Sequence, residues 1–95
     1  MKRQGELLFI KITSKEFEEA EKEKLNHRVI AEGETTGHKH ELSIGELYEG
    51  IGWNNRGKKL MEIPTEGAVL THPEHKTISF PQGFYEIRTQ REYTE

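Results

Sequence analysis

The chain has 95 residues, of which 32% are hydrophobic and 33% charged, and its formal net charge is −3 at pH 7. A chain of this length fits a single domain spanning residues 1–95, which should bury about 60–65% of the surface that the unfolded chain exposes. The absence of cysteine excludes disulfides, thiolate metal sites and thiol nucleophiles. The basic residues are dispersed among acidic ones, which argues against a nucleic-acid partner.

No stretch of the sequence is apolar enough to span a bilayer as a helix. The longest apolar runs are Leu7–Ile10 and Ala68–Leu70, whereas a membrane helix needs roughly 20 residues. The first residues also lack the apolar segment of a secretory signal. We therefore expect a cytoplasmic protein that makes no membrane contact. Because few of its residues are apolar, homo-oligomerisation or a bound metal would help to stabilise the fold.

The first predicted elements are a strand and a short N-terminal helix. Residues 6–13 are apolar, with β-branched and aromatic members, and their second half alternates as a half-buried strand does. Ser14 is expected to cap a helix whose first turn carries Glu16, Glu18 and Glu19. Lys22 and Lys24 would then lie near the end of the helix, where they would complement its dipole.

From residue 27 onward the sequence changes to short β-type segments separated by turn residues. Such spacing predicts a mainly all-β fold of about eight short strands, either a small β-sandwich or a compact jelly roll or barrel. Residues 53–57 are expected to form the loop of a hairpin. The candidate strands are 6–13, 28–32, 38–42, 46–49, 59–63, 67–71, 77–80 and 84–89.

Four of the five histidines fall into two short spacings that can chelate an ion. His38 and His40 flank Lys39 on a predicted strand, where the period of two directs both imidazoles to one face. His72 and His75 bracket a Pro-Glu pair, and proline at the second position of a turn would bring the two histidines close together. Three or four imidazoles suit a transition metal ion, zinc first, with iron, nickel or copper as alternatives.

The chemistry of such a site depends on how many imidazoles bind. With three ligands and an open position, bound water would be acidified and Glu74 or Glu41 could carry protons, whereas four ligands would make a closed, structural site. Two other interpretations remain open for the histidines. They could form a pH-sensitive cluster without metal, or they could be unrelated polar residues.

Two further functional classes stand beside metal binding. The chain could be a protein-interaction or self-assembly module that uses strand edges and the Trp53 hairpin. A small nucleic-acid-binding barrel is a weaker alternative, for which the candidate residues are Lys58, Lys59, Arg88 and Arg91.

Two resemblances add to this interpretation. Residues 33–41 resemble the first cupin motif, with its glycine and HxH pair, and residues 78–85 resemble the P-x-G turn of the second. The cupin likeness implies a metal inside a jelly roll and would make Glu46 a ligand. Most of the chain after residue 28 is similar to small bacterial proteins that share a GExTGHxH stretch, an LTHxEH stretch and a closing PxGxY…QREY pattern. That similarity implies no particular activity.

Overall fold

A computed structural model describes residues 2–32, 39–52 and 58–89 of the chain, apart from the side chains of residues 31, 32 and 89. Within these ranges the protein forms ten β-strands and one short α-helix, which confirms the prediction of a mainly β fold. In chain order the elements are β1 (Lys2–Gln4), β2 (Leu7–Ile12), α1 (Ser14–Glu19), β3 (Lys22–Lys24), β4 (Val29–Glu32), β5 (Lys39–Leu42), β6 (Glu46–Gly50), β7 (Lys59–Ile63), β8 (Ala68–His72), β9 (His75–Phe80) and β10 (Gly83–Thr89).

The described strands form two antiparallel sheets. The larger sheet has the order β1-β2-β10-β7-β6-β3, and the smaller has the order β4-β5-β8-β9. At one side of the molecule β1 of the larger sheet lies beside β9 of the smaller one. At the other side the chain passes directly from β3 at the edge of one sheet to β4 at the edge of the other.

An apolar core of described residues lies between the two sheets. It forms because several strands bury alternate residues, as in β8, where Ala68 and Leu70 are buried and Val69 is exposed. Phe9 of the larger sheet meets Phe80 of the smaller one edge to face, with ring centroids 4.9 Å apart. The core members are Leu7, Phe9, Ile30, Leu42, Leu47, Met61, Ile63, Ala68, Leu70, Phe80, Tyr85 and Ile87.

The helix covers part of the outer face of the larger sheet. Its buried Phe17 packs against Tyr48 and Phe84, with ring centroids 5.1 and 4.5 Å away. The prediction that Ser14 caps this helix is wrong. Thr13 is the N-cap and forms a reciprocal capping box with Glu16, whose side chain accepts from the backbone N–H of Thr13.

The helix is also shorter than the charge pattern indicates. It ends at Glu19, and Lys22 and Lys24, expected near its end, instead form β3 at the edge of the larger sheet. The Lys22 ammonium donates to the backbone oxygens of Phe17 and Ala20 and lies 4.3 Å from the centroid of the Phe17 ring. Its charge therefore still complements the C-terminal end of the helix, although it is contributed from a strand.

In its described residues the structure has two strands more than the roughly eight that were predicted, namely β1 and β3. The other predicted strands agree with the described ones to within two residues at each end. The loop expected at residues 53–57 and the polar tail after residue 89 lie outside the described residues. In the part of the chain that the structure describes, no helix is long and apolar enough to cross a membrane.

Candidate functional site

The second histidine pair brackets the turn between β8 and β9. His72 ends β8, His75 begins β9, and the two are direct register partners across the intervening Pro73-Glu74. Their ring centroids lie 4.5 Å apart. The prediction that this turn brings the backbones of His72 and His75 close together is confirmed.

A third imidazole reaches the same place from β5. On that strand Lys39 is exposed and His40 is buried, as the period of two requires. Because β5 is hydrogen-bonded to β8, the His40 ring lies 4.3 Å from the His72 ring and 6.1 Å from the His75 ring, centroid to centroid. We call these three residues the histidine cluster. His38, the fourth predicted ligand, lies outside the described residues.

The β1–β2 hairpin forms one wall of the cluster. Gln4 is 2% exposed, and its side-chain oxygen lies 2.8 Å from Nδ1 of His40. The next residue, Gly5, has a φ of +60°, and a Cβ at this position would stand 2.8 Å from Nε2 of His75 and 3.4 Å from Cε1 of His40. Only glycine fits this turn without displacing a ring of the cluster.

Burial keeps His40 neutral at physiological pH. Its pKa is lowered from 6.5 to about 4, chiefly because burial penalises the charged ring and further because charges on His72 and His75 would repel it. A neutral imidazole keeps a lone pair that can bind a metal ion, so His40 needs to release no proton at pH 7.

His72 has one ring nitrogen already engaged. The backbone N–H of Glu74 donates to Nδ1 of His72 over 3.0 Å. Nδ1 therefore accepts, and a neutral His72 carries its proton on Nε2. A metal ion that binds Nδ1 must displace the Glu74 amide. A metal ion that binds Nε2 requires the ring proton to move from Nε2 to Nδ1. Glu74, the candidate proton carrier, is exposed on this turn.

The distances between the three rings suit the binding of one shared metal ion, but the orientations of the rings do not. Imidazoles bound to a tetrahedral metal at about 2.0–2.1 Å would place their ring centroids about 5 Å apart, and the observed separations bracket this distance at 4.3, 4.5 and 6.1 Å. The rings lie face to face or tilted, however, with interplanar angles of 9°, 38° and 44°. Among the described residues no group of three His, Cys, Asp or Glu side chains is arranged to hold a metal ion in this conformation.

Other residues singled out in the sequence lie elsewhere. His27 is exposed, and its Nδ1 accepts from the backbone N–H of Val29. Glu46, a ligand if the cupin pattern applied, is on the larger sheet and pairs with Lys24, 3.2 Å from Oε1 to Nζ. The structure thus gives no support to the cupin ligand set.

Two of the surface residues considered for other partners have partners within the chain. Lys59 donates to the backbone oxygen of Ile30, and Arg88 pairs with Glu86 on its own strand. Arg91 and Trp53 lie outside the described residues. The large apolar side chains exposed in the described part are Ile51 and Val69, which are single and scattered, as is normal for a protein surface.

Gln4 and Gly5 are the site residues that sequence reasoning missed. The segment Lys2-Arg3-Gln4 has no apolar alternation to mark it as a strand, and its partners are distant in sequence. The one local signal was Gly5 immediately before an apolar strand, which is typical of a tight hairpin turn.

Comparison with known proteins places the chain in a family. A family model described as a domain of unknown function, DUF8820, matches residues 3–90. The chain belongs to the DUF8820 family. The match includes β1, the turn at Gly5 and all three members of the histidine cluster, so the cluster lies within the DUF8820 domain. No curated protein and no solved structure shows significant similarity to the chain.

Proposed function

We propose that this protein binds one transition metal ion through His40, His72 and His75, with His38 as the fourth ligand. Zinc is the first candidate, and iron, nickel and copper are alternatives. The observation that supports the proposal is the meeting of three imidazoles from two parts of the sequence, with centroids 4.3–6.1 Å apart. Imidazole nitrogen suits these metals, whereas Mg²⁺ and Ca²⁺ prefer oxygen.

Metal binding requires the rings to rotate from their present orientations. His75 is exposed and His72 half-buried, so rotation of either ring disturbs less packing than rotation of the buried His40 ring would. His40 is buried and held at Nδ1, so it supplies the fixed ligand and the other two adapt to it. The Glu74 N–H bond to His72 would be lost or exchanged in this rearrangement.

The number of ligands decides what the ion does. If His38 completes a set of four imidazoles, the ion is closed off and stabilises the junction of β5 with the β8–β9 turn. If three imidazoles bind, a water molecule occupies the fourth position and is acidified by the ion. Glu74 is then the proton carrier, since it lies on the turn that bears two of the ligands.

Equilibrium dialysis of untagged protein against zinc, purified without chelator or metal column, tests this proposal. We expect about one zinc per chain in the wild type and in His27→Ala, which removes an exposed histidine outside the cluster. His40→Ala and His72→Ala should retain far less zinc. Folded wild-type protein that takes up neither zinc nor the other three metals would refute the proposal.

A further inference from the structure

Gln4 joins the two sheets at the histidine cluster. Its side chain is buried, and it belongs to β1, the edge strand of the larger sheet. Its Nε2 donates to the backbone oxygens of Leu70, over 3.0 Å, and Lys76, over 2.7 Å, which lie on the two strands that meet at the histidine turn.

These two bonds fix the orientation of the amide group. Carbonyl oxygens only accept, so the end of the side chain that faces them must be the NH₂ group. The other end, Oε1, then faces Nδ1 of His40 at 2.8 Å. An amide oxygen also only accepts, so Nδ1 of His40 must be the donor. In the neutral ring the lone pair is therefore on Nε2.

We infer that Gln4 is a positioning residue that holds His40 in the Nδ1–H tautomer and thereby presents Nε2 as its metal-binding atom. The inference rests on the proposed function, because it assigns the ligating atom of that site. An acceptor on the second nitrogen is the usual means by which a metal-binding histidine is oriented. Here the acceptor comes from an N-terminal strand that contributes no ligand.

The test compares Gln4→Met, which keeps the length of the side chain but has no amide, with Gln4→Glu, which keeps an oxygen acceptor and loses both donors. Gln82→Met is the matched control, since Gln82 is exposed and donates to Thr65. Two readouts are needed. Long-range ¹H–¹⁵N spectra of the metal-free protein report the His40 tautomer, and competition with a chromophoric chelator reports zinc affinity.

We expect the wild type and Gln82→Met to show Nδ1–H on His40. Gln4→Met should show a mixture of tautomers and bind zinc about 10–100-fold more weakly. Gln4→Glu should lose stability, since its carboxylate faces two carbonyl oxygens, yet retain both the Nδ1–H tautomer and most of the zinc affinity. A purely structural role would instead make zinc affinity follow stability in both variants.

The possible failures can be told apart. If His40 of the wild type carries its proton on Nε2, the inference is wrong whatever the affinity for zinc, and this holds even if Gln4→Met does not fold. If both variants fold and bind zinc as the wild type does, Gln4 does not position the ligand. If the wild type shows the Nδ1–H tautomer but binds no zinc, the tautomer assignment is supported and the proposed function fails.

Discussion

His72 and His75 face each other as register partners across a turn of only two residues, with ring centroids 4.5 Å apart. A turn this short gives the two side chains little freedom to separate, and the neighbouring strand β5 adds His40 to the pair. The cluster thus follows from the strand order of the smaller sheet.

Removing one imidazole of the cluster should abolish stabilisation by metal. A ligand that binds the folded state alone raises the free energy of unfolding by about 2.7 kcal/mol at 100 times its Kd. We expect saturating zinc to raise the Tm of the wild type and of His27→Ala, and EDTA to reverse the rise. His72→Ala should show no change with either addition in differential scanning fluorimetry, and a zinc-dependent rise as large as that of the wild type would contradict the ligand assignment.

Zinc should also disrupt a particular hydrogen bond. The Glu74 amide donates to Nδ1 of His72 over 3.0 Å, and binding at either nitrogen of that ring requires this bond to break or the proton to move. We expect the ¹H–¹⁵N cross-peak of Glu74 to shift strongly on zinc addition. The cross-peak of Val29, whose N–H donates to the exposed His27, is the internal control and should not shift. An unmoved Glu74 peak at saturation would exclude His72 as a ligand.

The hairpin glycine offers a test of how closely β1–β2 approaches the cluster. Gly5 and Gly52 both have positive φ, at 60° and 82°, so alanine should cost about 1 kcal/mol of stability at either position. Only at Gly5 would the new Cβ meet an imidazole, 2.8 Å from Nε2 of His75, while at Gly52 it would meet the end of the Glu21 side chain. We expect Gly5→Ala to weaken zinc binding at least tenfold in calorimetric titrations and Gly52→Ala to leave it unchanged. Equal affinities in the two variants would show that the turn does not confine His75.

The metal-free protein should lose stability in mild acid. The folded-state pKa of His40 is about 4, below the ordinary value of 6.5, so the unfolded chain binds more protons between these two pH values. The free energy of unfolding therefore falls as pH decreases from 6.5 toward 4, by an amount on the order of 3 kcal/mol for this group. Urea titrations should show a shallower pH dependence in His40→Gln than in the wild type. Parallel curves would mean that His40 titrates normally.

The capping box of the helix can be checked without reference to the histidines. The Thr13 hydroxyl accepts from the backbone N–H of Glu16 over 3.0 Å, whereas Ser14 lies inside the helix as its first residue. Thr13→Ala should therefore reduce the free energy of unfolding by about 1 kcal/mol, and Ser14→Ala should change it by less than about 0.5 kcal/mol. Chemical denaturation of both variants measures the difference, and a larger loss in Ser14→Ala would reverse the assignment of the cap.

Sequence patterns were sufficient wherever a strand carries its own apolar signal. Leu7–Ile12 and Lys59–Ile63 have runs of core residues, and proline at position 73 marks the histidine turn. The strand β3 could not be found in this way, because Lys22-Glu23-Lys24 contains no apolar residue and is held by backbone pairing with β6. By local rules alone, Lys22 and Lys24 fit the end of a helix equally well. Backbone pairing with β6, which is distant in sequence, makes this segment a strand.

All three members of the histidine cluster were named from the sequence, but only the approach of His72 to His75 followed from local rules. The pairing of His72 with His75 is a local property of four residues, whereas the approach of His40 depends on β5 lying beside β8. Gln4 bonds to groups 36, 66 and 72 residues away. No local pattern in a single sequence identifies such a residue, because its role exists only once the two sheets have packed together.

X-ray absorption spectroscopy at the zinc edge of the reconstituted wild-type protein tests the central claim most directly, since it counts imidazole ligands around the ion. A zinc ion held by the histidine cluster should have at least three imidazole nitrogens at about 2.0–2.1 Å. A zinc ion surrounded mainly by oxygen, with one imidazole or none, would contradict the assignment of the histidine cluster as a metal site.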